Sequence, residues 1–414
     1  MLATVTILHR HAESAVSEAL ADTRVVVVIG ARQAGKSTLV KLVTKGILNT
    51  EIRQLDRPTE LAAARKDPES FVRHDGLLVI DEIQRSPELI LPIKSIVDAE
   101  PNPGRFLLTG SARLLGLRNL PDSLIGRSET IELWPFSQGE LGGVREDFLD
   151  RAFADNPMRT TSTTLLRANY LNRAVVGGYP EATKRTDGRR RKFFDAYIDD
   201  LIDRDITQLS EIQRRPDLIR LLALLAQRMA TPVSIRNLAE ELVVPKSTVE
   251  RYVALLEEVY VIKHLSGWAT SATKRATQRE KLFFVDSGLA AHLAGLTETN
   301  LSRHEASIGQ LLENFVIGEV CRQLSWSSAG ARAYHYRDRD GREVDLILEA
   351  RDGRIVGIEV KAGATVRAED VRHLAHLRDA LGDRFHRGIV LHTGDTTRSF
   401  GDRIVATPLA ALWE

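Results

Sequence analysis

Three groups of residues in this chain have types and spacings that could do chemistry. The first is Gly30-Ala31-Arg32-Gln33-Ala34-Gly35-Lys36-Ser37, which fits G-x-x-x-x-G-K-[ST]. Glycines at these positions let backbone N–H groups turn inward on phosphates. Lys36 offers a point charge to the β and γ positions, and the Ser37 hydroxyl reaches Mg²⁺. Thr38 completes the residues expected to touch a nucleotide. Leu77-Leu78-Val79-Ile80-Asp81-Glu82 then delivers two carboxylates after four apolar residues. Asp81 would hold Mg²⁺ with Ser37, and Glu82 would orient and polarise an attacking water. Arg105-Phe106-Leu107-Leu108-Thr109-Gly110-Ser111 ends in small polar groups that could touch the γ-phosphate or the water. Thr109 and Ser111 both qualify, and Ser111 is placed in the catalytic set.

The second group is spread over the C-terminal third: Glu313 in an apolar helical pattern, Asp345 in Glu343-Val344-Asp345, and Glu359 and Lys361 in Ile358-Glu359-Val360-Lys361. Residues two apart on a strand point to one face, so Glu359 and Lys361 share a side that Asp345 can reach from an adjacent strand. Carboxylates gathered this way bind Mg²⁺, and the lysine holds and activates water. Charged strand ends also protect sheet edges without any metal.

The third group lies in TPVSIRNLAEELVVPKSTVERYVALLEEVYVIKHLSGW, residues 231 to 268. Ser234 is a helix N-cap, Val244-Pro245-Lys246 is a turn, and Ser247 to Glu250 reads as a capping box opening a second helix. A following strand could form a wing. The second helix would turn Lys246, Thr248 and Arg251, with Arg236, toward phosphates or groove edges. Glu250, Glu257 and Glu258 nearby keep a protein-contact reading open.

Elements must position these groups. RVVVVIG, EIRQLD, GLLVIDE, RFLLTGS and TIELW read as strands alternating with helices, which implies a parallel sheet covered on both faces. Residues 165 to 225 read as helical, including NRAVVGGYPEA. The expected domains are an ATPase core over 1–155, a helical lid over 156–225, a winged helix over 226–275 and a mixed α/β region over 276–414.

The phosphate loop, the paired carboxylates and the third strand together resemble the AAA+ ATPases, in which a polar residue at this strand end senses the γ-phosphate. The order GxRQxGKS, LLVIDEIQ, LLTGS, Gly126-Arg127, GGYPE and YIxDLIxRDI resembles a bacterial and archaeal AAA+ family with a C-terminal domain of unknown function. That resemblance implies ATP and Mg²⁺ as cofactors. It also implies an arginine that completes the site, often from a neighbouring subunit, and hence a homo-oligomer. Arg127 takes that role, with Arg113 and Arg204 behind it and a structural ion pair as the competing reading. The helical Glu, strand Asp and strand Glu-x-Lys resemble the PD-(D/E)xK nucleases, with Val344 where the family name has proline. The expected fold class is therefore α/β: a P-loop AAA+ parallel sheet with helical lid, a winged helix and a restriction-endonuclease-like C-terminal domain.

Composition sets bounds. The chain has 57 basic and 56 acidic residues in 414, a net charge of +1, and a single cysteine, which excludes an internal disulfide and a cysteine-based zinc site. Lys184-Arg185 and Arg189-Arg190-Arg191-Lys192 form the densest basic cluster. No apolar run approaches a membrane span, and the N-terminal stretch lacks an unbroken apolar core, so the cytoplasm and no membrane partner are expected. The expected function is a DNA-dependent ATPase that binds or remodels branched DNA such as a replication fork or Holliday junction. The alternatives are an ATP-gated, Mg²⁺-dependent nuclease and a nucleotide-dependent signalling or scaffold protein.

Overall fold

The computed structural model describes residues 7–111, 124–206, 215–271, 275 and 279–414, with the backbone alone at 204 and 205. The chain divides into two compact units. One comprises Met1–Pro135, Asp199–Glu211 and Leu255–Val261, and the other comprises Phe136–Ile198, Ile212–Ala254 and Ile262–Glu414.

The first unit is built on five parallel strands: β1 (Val25–Ile29), β2 (Thr50–Gln54), β3 (Leu77–Asp81), β4 (Phe106–Gly110) and β5 (Ser128–Glu132), in the order β2-β3-β4-β1-β5. All five residues of β1 are buried, as expected for a near-continuous β-branched run covered on both faces. The helices Ala12–Asp22 and Lys36–Val43 pack Val16, Leu20, Leu39 and Val40 against Val26, Val28, Val79 and Leu107. Each such side chain contributes about 1.5–3 kcal/mol of burial. Because β4 lies between β1 and β3, the loops leaving all three strands emerge side by side at their carboxyl ends, where open α/β sheets place ligands.

The second unit holds two sheets. β6 (Thr231–Pro232), β7 (Ile262–Leu265) and β8 (Lys281–Phe284) form an antiparallel sheet in the order β6-β8-β7. Helices Arg215–Gln227, Ile235–Leu242 and Lys246–Glu258 precede β7 in the chain. Ser234 caps Ile235–Leu242 by accepting the Asn237 N–H. The expected capping box after it does not form. The next helix already opens at Lys246, because the Pro245 carbonyl accepts the Thr248 and Val249 N–H groups and places Ser247 inside the first turn.

The mixed C-terminal sheet has six strands: β9 (Arg332–Arg337), β10 (Glu343–Glu349), β11 (Ile355–Lys361), β12 (Phe385–His392), β13 (Arg398–Ser399) and β14 (Ile404–Pro408), in the order β13-β14-β12-β11-β10-β9. β10 and β11 form an antiparallel hairpin turning at Gly353, while β11, β12 and β14 are parallel. The helix Arg372–Leu381 crosses over from β11 to β12 and buries Leu374 and Leu377 against Val344, Ile347 and Val390.

The stretch expected to be helical through NRAVVGGYPEA is broken. Helix Arg167–Val176 ends at Gly177, whose φ of 71° only glycine adopts without strain. The Asp286 carboxylate accepts the Gly178 N–H at 2.7 Å and caps helix Ser287–Leu293 through the Leu289 N–H at 2.8 Å. No described helix is long and apolar enough to cross a membrane.

Candidate functional site

The phosphate-loop motif lies between β1 and helix Lys36–Val43, where the sequence requires it. Gly30, Gln33 and Gly35 all have positive φ. A Cβ at Gly30 would lie 2.1 Å from the Leu133 carbonyl oxygen, so no other residue fits there. The rest of the loop, Ala31, Arg32, Gln33 and Ala34, leads to Lys36, with Thr38 in the first turn of the helix. Lys36 is buried, and its Nζ donates to the Gly30 and Ala31 carbonyls at 2.9 and 3.0 Å, which folds the ammonium back over the loop. Arg10 braces the loop by donating to the Ala34 carbonyl at 2.8 Å and the Trp134 carbonyl at 2.5 Å. Sequence spacing gave no sign of Arg10, which lies 24 residues before Ala34 and is brought there by packing alone.

The Ser37 hydroxyl donates to Asp81 Oδ2 at 3.1 Å, and the Thr109 hydroxyl donates to Asp81 Oδ1. Glu82 has φ 61°, so the strand ends at Asp81 and the chain turns, letting both carboxylates serve one site although neighbours on a strand face apart. A non-glycine residue in this region is strained, and such strain gathers at functional positions. Glu82 Oε2 accepts from the Ser111 hydroxyl at 3.2 Å and from Gln84 Nε2, which also donates to Ser111 Oγ at 3.0 Å. Thr109 therefore serves Asp81 and Ser111 serves Glu82. Gln84, not among the expected residues, ties Glu82 to Ser111. It was visible only as the residue two positions after the carboxylate pair.

Ser37 and Asp81 present a hydroxyl and a carboxylate oxygen together, a hard-oxygen set suited to Mg²⁺ beside a phosphate loop. Arg127 makes a two-point contact with Asp98, with Nη2 to Oδ2 at 3.0 Å, and donates from Nη1 to the Ile125 carbonyl at 3.1 Å. Of the other arginines considered for its role, Arg113 and the Arg204 side chain lie outside the described residues.

Arg236, Lys246 and Arg251 are exposed, and the first two pair along their own helices. Arg236 Nε meets Glu240 and Lys246 Nζ meets Glu250, each at 2.9 Å. Arg251 is exposed beside the Tyr252 ring, and Thr248 is half-buried.

In the C-terminal sheet, Asp345 on β10 accepts the Val360 N–H of β11 at 2.8 Å, and Lys361 Nζ lies 3.3 Å from Glu359 Oε2. Burial and the nearby Asp345 charge push Glu313 and Glu359 each up to about 8, which brings Glu313 into the same electrostatic cluster. Lys281, at the start of β8 and not anticipated from sequence, forms a buried ion pair with Glu313. Among the described residues, no three His, Cys, Asp or Glu side chains gather closely enough to hold a metal ion.

Residues 22–142 match the AAA domain family, 167–300 a domain of unknown function (DUF8612) and 308–412 a domain of unknown function (DUF4143). Uncharacterized proteins of Mycobacterium bovis and Mycobacterium tuberculosis are each 28% identical over 403 residues, 96% of this chain and 83% of theirs. One from Methanocaldococcus jannaschii is 21% identical over 378 residues, 85% of this chain and 78% of its own. Among solved structures, the Walker-type ATPase of Pyrococcus abyssi aligns with TM-score 0.43 and 17% identity over 69% of this chain and 96% of that one. The RuvB Holliday junction branch migration motor of Thermotoga maritima aligns with TM-score 0.30 and 19% identity, over 62% and 89%.

Proposed function

We propose that this chain hydrolyses ATP in its AAA domain and couples the nucleotide state to DNA, with branched structures such as forks and Holliday junctions as the substrate class. The observation that carries the ATPase reading is the meeting of Ser37, Asp81 and Thr109 beside the phosphate loop, with Glu82 held by Ser111 and Gln84. Lys36 exchanges its two loop carbonyls for phosphate oxygens. Glu82 accepts a hydrogen bond from the attacking water and polarises it toward the γ-phosphorus, and the bond to the bridging oxygen breaks to release ADP and phosphate. A magnesium ion held by Ser37 and Asp81 would neutralise charge on the β- and γ-phosphates. Arg127 is the residue we assign to complete the site of a neighbouring copy in a homo-oligomer, after exchanging Asp98 for phosphate. The solvent-exposed setting of that pair keeps the exchange inexpensive.

The DNA part rests on the order helix, β6, two helices, β7, β8, which is that of a winged helix, and on the mixed sheet that follows. The domain assignment of AAA core, lid, winged helix and C-terminal region is part of this reading. The test is ATP turnover with and without fork, junction and single-stranded DNA at low salt, where phosphate contacts are strongest. Stimulation by a branched substrate is expected. Turnover indifferent to all three DNAs would overturn the DNA part, and absent turnover would overturn the ATPase part.

A signalling or scaffold role is favoured by one observation. Arg236 and Lys246 are each matched by a glutamate one turn along, which lowers the positive charge offered to phosphates. ATP-dependent assembly with weak DNA affinity in the same panel would select that role.

A further inference from the structure

We propose that the Lys281 ammonium is the resident cation of the C-terminal carboxylate cluster, standing where a nuclease of this resemblance would carry a divalent metal, so that this region does not cut nucleic acid.

The cluster joins Glu313, Asp345 and Glu359 to two lysines, Lys281 and Lys361. Lys281 contacts Glu313 directly, and its side chain is only 6% exposed. A divalent ion entering at Glu313 would displace a buried ammonium or share the carboxylate with it at close range. Either outcome leaves a buried charge poorly compensated. Asp345 has one oxygen committed to the Val360 N–H, and Lys361 faces Glu359. The donor set is thus occupied from within the chain and does not fit a resident metal. The β10–β11 hairpin carries carboxylates whose charge is balanced by lysine. This inference does not depend on the ATPase reading.

The test uses the full chain, nucleotide-free and carrying Lys36→Ala, titrated with Mn²⁺ and followed by the paramagnetic resonance of the free ion. No Asp345-dependent binding is expected below the millimolar range. Lys281→Met, which keeps the volume and removes the charge, should tighten Mn²⁺ binding at least tenfold, and Asp345→Asn should abolish that gain. Micromolar binding in the Lys36→Ala background that Asp345→Asn removes would overturn the proposal, as would Lys281→Met with no gain. If Lys281→Met fails to fold, thermal melting of the unsubstituted chain in Mn²⁺ or in chelator decides. Equal midpoints support the proposal, and a Mn²⁺-dependent rise lost in Asp345→Asn overturns it. Strand cleavage of labelled fork or duplex DNA that Asp345→Asn removes would also overturn it.

Discussion

The Ser37 hydroxyl donates to Asp81 Oδ2 across 3.1 Å, joining the first turn of helix Lys36–Val43 to the carboxyl end of β3. The two oxygens are brought together by separate elements 44 residues apart in sequence. Asp81→Asn keeps the shape and removes the charge. Turnover should fall by roughly 10²–10³-fold, as when one preorganised electrostatic group is lost. Nucleotide binding measured without Mg²⁺ should be unchanged, because the loop still holds the phosphates. Phosphate release and a fluorescent-nucleotide titration separate the two effects. Turnover close to the unsubstituted level would remove Asp81 from the role assigned to it.

Glu82 and Gln84 make a graded pair of tests. Glu82→Gln should lower kcat by roughly 10²–10⁴-fold while ATP stays bound, the range expected for losing a general base. Gln84 acts through Glu82, so Gln84→Ala should cost about tenfold in kcat, equivalent to one hydrogen bond to a charged group, with KM unchanged. A shift in KM alone would mean that Gln84 touches nucleotide and does not position Glu82.

The strands of the first unit were legible because Val25–Ile29 and residues 77–80 are apolar runs of strand length bounded by Gly30 and by the Asp81 and Glu82 carboxylates. The phosphate loop was legible because the glycine and lysine spacing is dictated by close backbone approach to phosphate. The left-handed turn at Glu82 was not, since nothing in glutamate's propensity favours positive φ and only the packed site enforces it. Arg10 and Lys281 were hidden for a different reason. Their partners, Ala34 and Glu313, lie 24 and 32 residues away, and no periodic pattern connects them. The helix start at Lys246 was misread because serine, threonine and glutamate spelled a capping box, while the carbonyl that accepts the first helical bonds belongs to Pro245.

Gly178 gives a test of the GGYPE motif as architecture. A Cβ there would lie 2.1 Å from the Phe136 carbonyl oxygen, whose own N–H donates back to Gly178 O at 2.8 Å. Gly178→Ala must move backbone, so a loss on the order of 1–3 kcal/mol is expected, the usual cost of overpacking. Thermal melting should show a clearly lowered midpoint, and nucleotide binding by folded protein should persist. An unchanged midpoint would mean that the loop yields freely and that the motif's glycines serve something other than close packing.

Glu319 makes stability depend on pH in a direction opposite to that of most carboxylates. Its side chain is buried on helix Glu305–Gln323, accepting the Gln138 N–H at 2.9 Å and the Arg322 guanidinium at 3.0 Å. Burial pushes its pKa up to about 7, opposed by Arg322 and the Gln138 N–H and assisted by Glu146 and Glu140. The unfolded chain holds this proton only to about pH 4.3. Between the two values the folded state binds more protons than the unfolded one, so stability falls as pH rises. The contribution is complete below about pH 4.3 and is lost as pH rises through about 7. Its size is on the order of 3 kcal/mol. Glu319→Gln is neutral at every pH and should flatten the decline in urea midpoint between pH 5 and pH 8. Some slope will remain, because Glu313 and Glu359 are raised in the same way. Identical slopes for the two proteins would show that Glu319 is already ionised throughout this range and that Arg322 outweighs burial.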